Sequence, residues 1–198
     1  MSKSLILQNG KTRQISENDI LENTGSFIGN YYPTTTRLII SPCNSTAFVN
    51  SNIIANTVYA LPIILEKRFN FSELKINVIT ANALSSIRLA IYNSTLNSYP
   101  DQKILESGIL SGATTGVKSF IFPNTNIQKG LYFLIIVSST NLTVRGFAIS
   151  GLIPILGTDL NLTNQGLGYS YTGSITLPTA FPVSNIITNI PLPIVGIK

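Results

Sequence analysis

A chain of 198 residues with 44% hydrophobic and only 11% charged side chains is long enough for one main domain and too aliphatic to stay disordered. The net charge of +5 comes from 13 basic and 8 acidic residues, a shortage of acids more than a concentration of bases. Histidine is absent, which removes Ser-His and Cys-His nucleophiles, imidazole acid–base chemistry and the ordinary zinc sites.

The first thirty residues differ from the rest. Leu5-Ile6-Leu7-Gln8 and Lys11-Thr12-Arg13-Gln14-Ile15 read as two short extended pieces joined at Asn9-Gly10, the dipeptide that best accepts the two positive φ angles of a type I′ hairpin turn. Ser16-Glu17-Asn18-Asp19 before Ile20-Leu21 is suited to capping one helical turn. A hairpin this small is not stable alone, so it is expected to dock on its own domain or on a neighbour. Tyr31-Tyr32-Pro33-Thr34-Thr35-Thr36 reads as a linker, dividing an anchor segment, 1–36, from a main domain, 37–198. Cys43, the only cysteine, follows Pro42 in a turn-rich stretch; it allows no intrachain disulfide and has no visible activator.

From about residue 37 short β-type runs alternate with turn residues. Strands are expected at Leu74–Thr80 and Ile87–Tyr92, where apolar and polar residues alternate, and around Tyr59–Leu65. Further strands are expected at Ile104–Leu110, Val117–Phe122 and 141–145, with Asn93–Asp101 as a nine-residue loop and Gly116 and Gly130 releasing the chain from turns. Leu131–Val137 is apolar throughout, as suits a central strand covered on both faces. At seven residues it is far short of the ~20 that cross a bilayer as a helix. The N-terminus carries no signal-peptide core, so neither membrane insertion nor signal-peptide export is expected. After Ser150, prolines at 154, 178, 182, 191 and 193 imply a long ordered excursion, and Pro193–Ile197 a last strand returning to a sheet.

No stretch carries a helical apolar stripe beyond two turns, and no fixed period supports a parallel β-helix. The expected fold is all-β: a jelly-roll-like antiparallel β-sandwich preceded by a short N-terminal hairpin that serves as an anchor.

The order of several pieces resembles a β-sandwich module of virion structural proteins in tailed bacteriophages, especially tail and fibre components. The pieces are Val58-Tyr59-Ala60-Leu61-Pro62, Ile76-Asn77-Val78, Arg88-Leu89-Ala90-Ile91-Tyr92-Asn93, Tyr99-Pro100 and Ile104-Leu105-Glu106-Ser107-Gly108. Thr114-Thr115-Gly116-Val117-Lys118, Lys129-Gly130-Leu131-Tyr132-Phe133-Leu134 and Leu177-Pro178-Thr179-Ala180-Phe181-Pro182 continue the series, which covers roughly 50–198. The leading Asn9-Gly10-Lys11-Thr12-Arg13-Gln14-Ile15 resembles the start of phage appendage proteins, where such a segment attaches the module to the particle. The resemblance departs at Ser94-Thr95-Leu96-Asn97-Ser98, where family members often carry an acidic, Gly-rich loop. It implies a non-enzymatic subunit of the tail, fibre or head decoration, assembled in the host cytoplasm into the virion. Asn9, Gly10, Lys11, Arg13 and Ile15 would form the attachment to other virion proteins, and homotrimerisation would be favoured. It supplies no catalytic residue and no cofactor.

The bases are scattered, Lys67-Arg68 being the only adjacent pair, so nucleic-acid binding is not expected. Glycan hydrolysis would need paired carboxylates; Asp101 and Glu106 are the nearest exposed-looking pair and Glu66 and Glu73 the next, with Asp101 best explained as a turn former. No loop beyond the N-terminal segment gathers enough carboxylates for calcium. Five Asn-X-Ser/Thr sequons, at Asn44, Asn70, Asn93, Asn141 and Asn161, are near the roughly four expected by chance. Tyr92 and Tyr99 are placed at strand ends, where an amphipathic ring can stack on a sugar or another subunit, with Asp101 beside them. The alternative to a purely structural role is therefore a carbohydrate-binding module that recognises a host surface glycan.

Overall fold

The computed structural model describes residues 5–8, 11–14, 48–65, 68–148, 156, 166–182, 185–187 and 192–197. Among these, every regular element is a strand. β1 (Leu5–Gln8) and β2 (Lys11–Gln14) pair antiparallel with Gln8 opposite Lys11, so the two residues 9–10 connect them as the Asn-Gly signal implies. They form a two-stranded sheet of their own. The expected helical turn at 16–19, the linker at 31–36, Cys43, and the anchor residues Asn9, Gly10 and Ile15 lie outside the described residues.

The next nine strands are β3 (Phe48–Ile53), β4 (Thr57–Leu65), β5 (Phe69–Thr80), β6 (Ser86–Ser94), β7 (Pro100–Glu106), β8 (Leu110–Ser111), β9 (Gly116–Ile127), β10 (Gly130–Ser138) and β11 (Leu142–Phe147). They are dealt between two antiparallel sheets. The back sheet runs β3-β11-β5-β9, and the front sheet runs β4-β10-β6-β7, with β8 continuing the β7 edge of β6. A chain that passes from sheet to sheet in this interleaved order is a jelly roll.

Four short strands follow. β12 (Gly168–Thr172) extends the front sheet beside β4, and β13 (Asn185–Ile187) lies beyond it. The single closing strand expected over 193–197 is instead two, β14 (Leu192–Pro193) and β15 (Gly196–Ile197). The reason lies in the back sheet. β11 and β5 meet only where Thr143 and Val144 face Thr80 and Val78. Where they diverge, β14 takes up the edge of β11 at Gly146 and Phe147, and β15 that of β5 at Leu74 and Lys75. Position 146 must be glycine for this insertion: a Cβ there would sit 2.5 Å from the Leu192 carbonyl oxygen and 2.6 Å from the Ser51 Cβ.

Two other expectations need adjustment. Ile104–Leu110 is not continuous, because β7 starts at Pro100, stops at Glu106 and is followed by the separate β8. At the break, buried Ser107 replaces the ladder: its N–H donates to the Leu89 carbonyl, and its Oγ accepts from the Leu89 N–H at 2.9 Å. The loop expected over Asn93–Asp101 shrinks to 95–99, because pairing continues to Ser94 opposite Pro100. Asn93 Oδ1 accepts from the Gln102 N–H at 2.6 Å and carries the pairing across a register shift. Gly116 does take the positive φ, 99°, that its turn requires.

The apolar residues fall into two clusters. Between the sheets lie Leu61 and Ile63 from β4, Leu74, Ile76 and Val78 from β5, Leu89 and Ile91 from β6, and Leu134 and Ile136 from β10. The opposite face of the front sheet is equally dry: Val58, Ala60, Ala90, Tyr92, Phe133, Ile135 and Val137 are covered by Tyr169 and Leu177, with Ile175 and Phe181 packed against them. β10 is thus sealed on both sides, as its unbroken apolar run implies. Leu134 faces the inter-sheet core and Ile135 the outer cluster, and both are fully buried. Leu134→Ala and Ile135→Ala should therefore each cost about 2–5 kcal/mol in urea denaturation. A near-neutral Ile135→Ala would mean that the outer face is open to water.

Candidate functional site

The outer cluster owes its cover to residues 173–181, which leave β12 and cross the front sheet to its far edge. There the strap joins β7 through hydrogen bonds from the Lys103 N–H to the Thr179 carbonyl, 2.8 Å, and from the Phe181 N–H to the Asp101 carbonyl, 2.7 Å, with Gln102 bridged to Ala180. Side chains reinforce the crossing. The Tyr92 hydroxyl donates to the Pro178 carbonyl, and Lys103 Nζ donates to the Leu177 carbonyl at 2.7 Å. Phe181 stands edge-on to Tyr92, 5.5 Å between ring centroids, and to Tyr171, 5.0 Å.

This arrangement corrects the reading of Tyr92 as a glycan contact. Its ring is fully buried and its hydroxyl is occupied by the strap. Burial, then the neighbouring Tyr171 and Glu106, raise its phenol well above the ordinary range. Tyr171, from β12, is pushed up to about 12 by burial. Glu106 is likewise no free acid. Its carboxylate takes both the Arg88 guanidinium and Lys103 Nζ, which ties β6, β7 and, through Lys103, the strap into one charged cluster. Glu73 is paired with Lys75 at 3.0 Å, and Glu66 lies outside the described residues. No three His, Cys, Asp or Glu side chains come together as a metal site among the described residues.

Tyr99 and Asp101 do lie together at one end of the sandwich. The 95–99 loop between β6 and β7 is tightly wound: the Ser98 N–H donates to the Thr95 carbonyl at 3.1 Å, Ser98 takes φ 62°, and the Thr95 N–H and Oγ1 both bond the Tyr99 backbone. Tyr99 keeps 44% of its surface exposed. One face of its ring stacks on Tyr169 of β12, with centroids 4.8 Å apart and planes at 29°. Tyr169 is itself buried and stands at 5.7 Å against Phe133 of β10. Burial first, and then Tyr99, raise the Tyr169 phenol. Beside this column, Asp101 Oδ1 accepts from Gln102 Nε2 at 3.0 Å. Tyr169, Gln102 and Lys103 did not stand out in the sequence; the alternation Gly168-Tyr169-Ser170-Tyr171-Thr172 was the signal for β12 that could have found the first of them. Of the anchor residues, Lys11 and Arg13 sit on β2, apart from this end of the chain's pairing scheme.

Models of known protein families and the curated proteins gave no match to this chain.

Two predictions follow from the strap. Tyr92→Phe should destabilise the fold by about 1 kcal/mol in chemical denaturation, because it removes the hydrogen bond from the ring to the Pro178 carbonyl. Glu106 is governed by two opposing influences: burial opposes its charge, but hydrogen bonds and attraction from Lys103 and Arg88 prevail and hold it below the usual glutamate range. A carboxyl lowered in the folded state contributes stability above its unfolded value and loses it as pH falls through the folded one. Glu106→Gln should therefore melt at a lower temperature than the native chain near pH 7, and the gap should narrow as pH falls through and below the usual glutamate range. A gap that does not change with pH would show that the cluster's charge does not matter.

Proposed function

We propose that this chain is a non-enzymatic structural subunit of a tailed-bacteriophage particle, a tail, fibre or head-decoration component that acts by assembly. The observation that supports the reading most directly is the separate hairpin. β1 and β2 are four residues each and, among the described residues, pair only with one another, outside both sheets of the jelly roll. Two short strands gain too little to persist in water unless a surface receives them. A partner protein of the virion is the surface proposed, with Asn9, Gly10, Lys11, Arg13 and Ile15 as the contact. The jelly roll then serves as a rigid body, its front sheet buried on both faces. Homotrimerisation belongs to the same proposal, motivated by the resemblance to phage modules and by the excess of aliphatic over charged residues.

Removing residues 1–24 should leave the β-sheet circular dichroism of the sandwich unchanged while the protein disappears from assembled particles. Particles that still carry the truncated chain would overturn the attachment role. Sedimentation of the full chain at micromolar concentration should give a mass of three subunits; a single 21.4 kDa species would remove self-association from the proposal.

A further inference from the structure

We propose that the end of the sandwich at the β6–β7 loop is a saccharide-contact site, in which the outward face of Tyr99 stacks on the apolar face of a neutral pyranose while Asp101 and Gln102 bond its hydroxyls. This goes beyond assembly and does not depend on where the hairpin attaches.

Three features of the molecule carry it. The first is an aromatic ring presented to solvent and held still. Tyr99 is 44% exposed although its inner face is stacked on Tyr169, and Tyr169 is in turn packed on fully buried Phe133. The loop that carries Tyr99 is closed by its own hydrogen bonds around Thr95. A platform already ordered loses little entropy when a flat partner settles on it. The second is polar chemistry at the platform's edge. Asp101 follows Tyr99 by two residues, at the start of β7 just past the loop that carries the ring. The Asp101 carboxylate is held at one oxygen by the Gln102 carboxamide, as donor at 3.0 Å, and its Oδ2 has no partner among the described residues. A sugar offers a face of C–H bonds rimmed by hydroxyls, and an aromatic plane flanked by a carboxylate and an amide meets both parts.

The third is charge. The nearest cation along β7, Lys103, is already committed to Glu106 and to the Leu177 carbonyl. Among the described residues Asp101 therefore has no cationic partner, and a carboxylated sugar laid against it would meet like charge. The site should favour neutral over acidic sugars, although the chain as a whole carries +5.

Saturation-transfer NMR on the full chain tests this with methyl β-glucopyranoside, methyl β-galactopyranoside, methyl N-acetyl-β-glucosaminide, glucuronic acid and N-acetylneuraminic acid. At least one neutral probe should show transfer, strongest on one ring face, and neither acidic probe should. In an amide-shift titration with that probe, the resonances that move should belong to 95–102. Tyr99→Phe should keep binding, Tyr99→Ala should weaken it about tenfold, and Asp101→Asn should let the acidic probes in. Because the titration maps contacts on the native chain, it does not depend on any variant folding. No transfer from any neutral probe, shifts elsewhere, or unchanged affinity in a folded Tyr99→Ala chain would each overturn the assignment.

Discussion

The structure depends on one constraint: the front sheet cannot be left bare on either side. β10 and its neighbours place Leu134 and Ile136 toward the back sheet, and Phe133, Ile135 and Val137 away from it. A two-layer sandwich satisfies only the first set. Leaving the second in water would forfeit about 1.5–3 kcal/mol for each large side chain, in sum comparable with the net stability of an ordinary domain. The excursion after residue 150 is the answer to this demand, not decoration on a finished fold. Ala60 and Ala90, opposite Ile135 on either side, keep the middle of that face low, and Leu177 of the strap belongs to the same buried cluster.

Covering a sheet with a strap leaves a second problem, since an irregular segment lays backbone carbonyls against the sheet with no ladder to receive them. Here the sheet's own side chains meet them. Tyr92 reaches the carbonyl of Pro178 and Lys103 that of Leu177, and Glu106 holds Lys103 and Arg88 in position. Backbone bonds between 179–181 and 101–103 also give β7 a partner on its outer side. β9 is treated differently. Among the described residues it pairs with β5 alone, and Pro123, which cannot donate, together with Lys118 makes its other side a poor template for a further strand.

The sequence carried much of the jelly roll but little of this covering. The runs at Leu74–Thr80, Ile87–Tyr92 and Leu131–Val137 fall within β5, β6 and β10, and the Asn-Gly signal falls between β1 and β2. β3 was missed because Phe48-Val49-Asn50-Ser51-Asn52-Ile53 has three small polar residues in its middle, and one of them, Ser51, is buried. Tyr92 was misplaced for a physical reason. Alternation along β6 puts it on the same face as Arg88 and Ala90, which reads as a solvent face. Only a segment some eighty residues later in the chain makes that face a core, and a local pattern has no access to so distant a partner. The same distance hid β12, whose pairing with β4 joins Tyr169 to Ala60.

This also explains why the two tyrosines flanking one short loop have such different fates. Tyr92 lies fully buried beneath the strap, whereas Tyr99, on the loop past the end of β6, stays partly exposed. The ring beneath Tyr99 is not one of the eight strands that define the jelly roll. It comes from β12, the strand added by the excursion, and it is wedged upright by Phe133 from the central strand. The segment that dries the front sheet therefore also supplies the backing for the exposed ring at its end. An eight-stranded jelly roll stopped at β11 would leave Tyr99 on a five-residue loop with nothing to stack on, and a mobile ring gives up in ordering much of what it gains in contact.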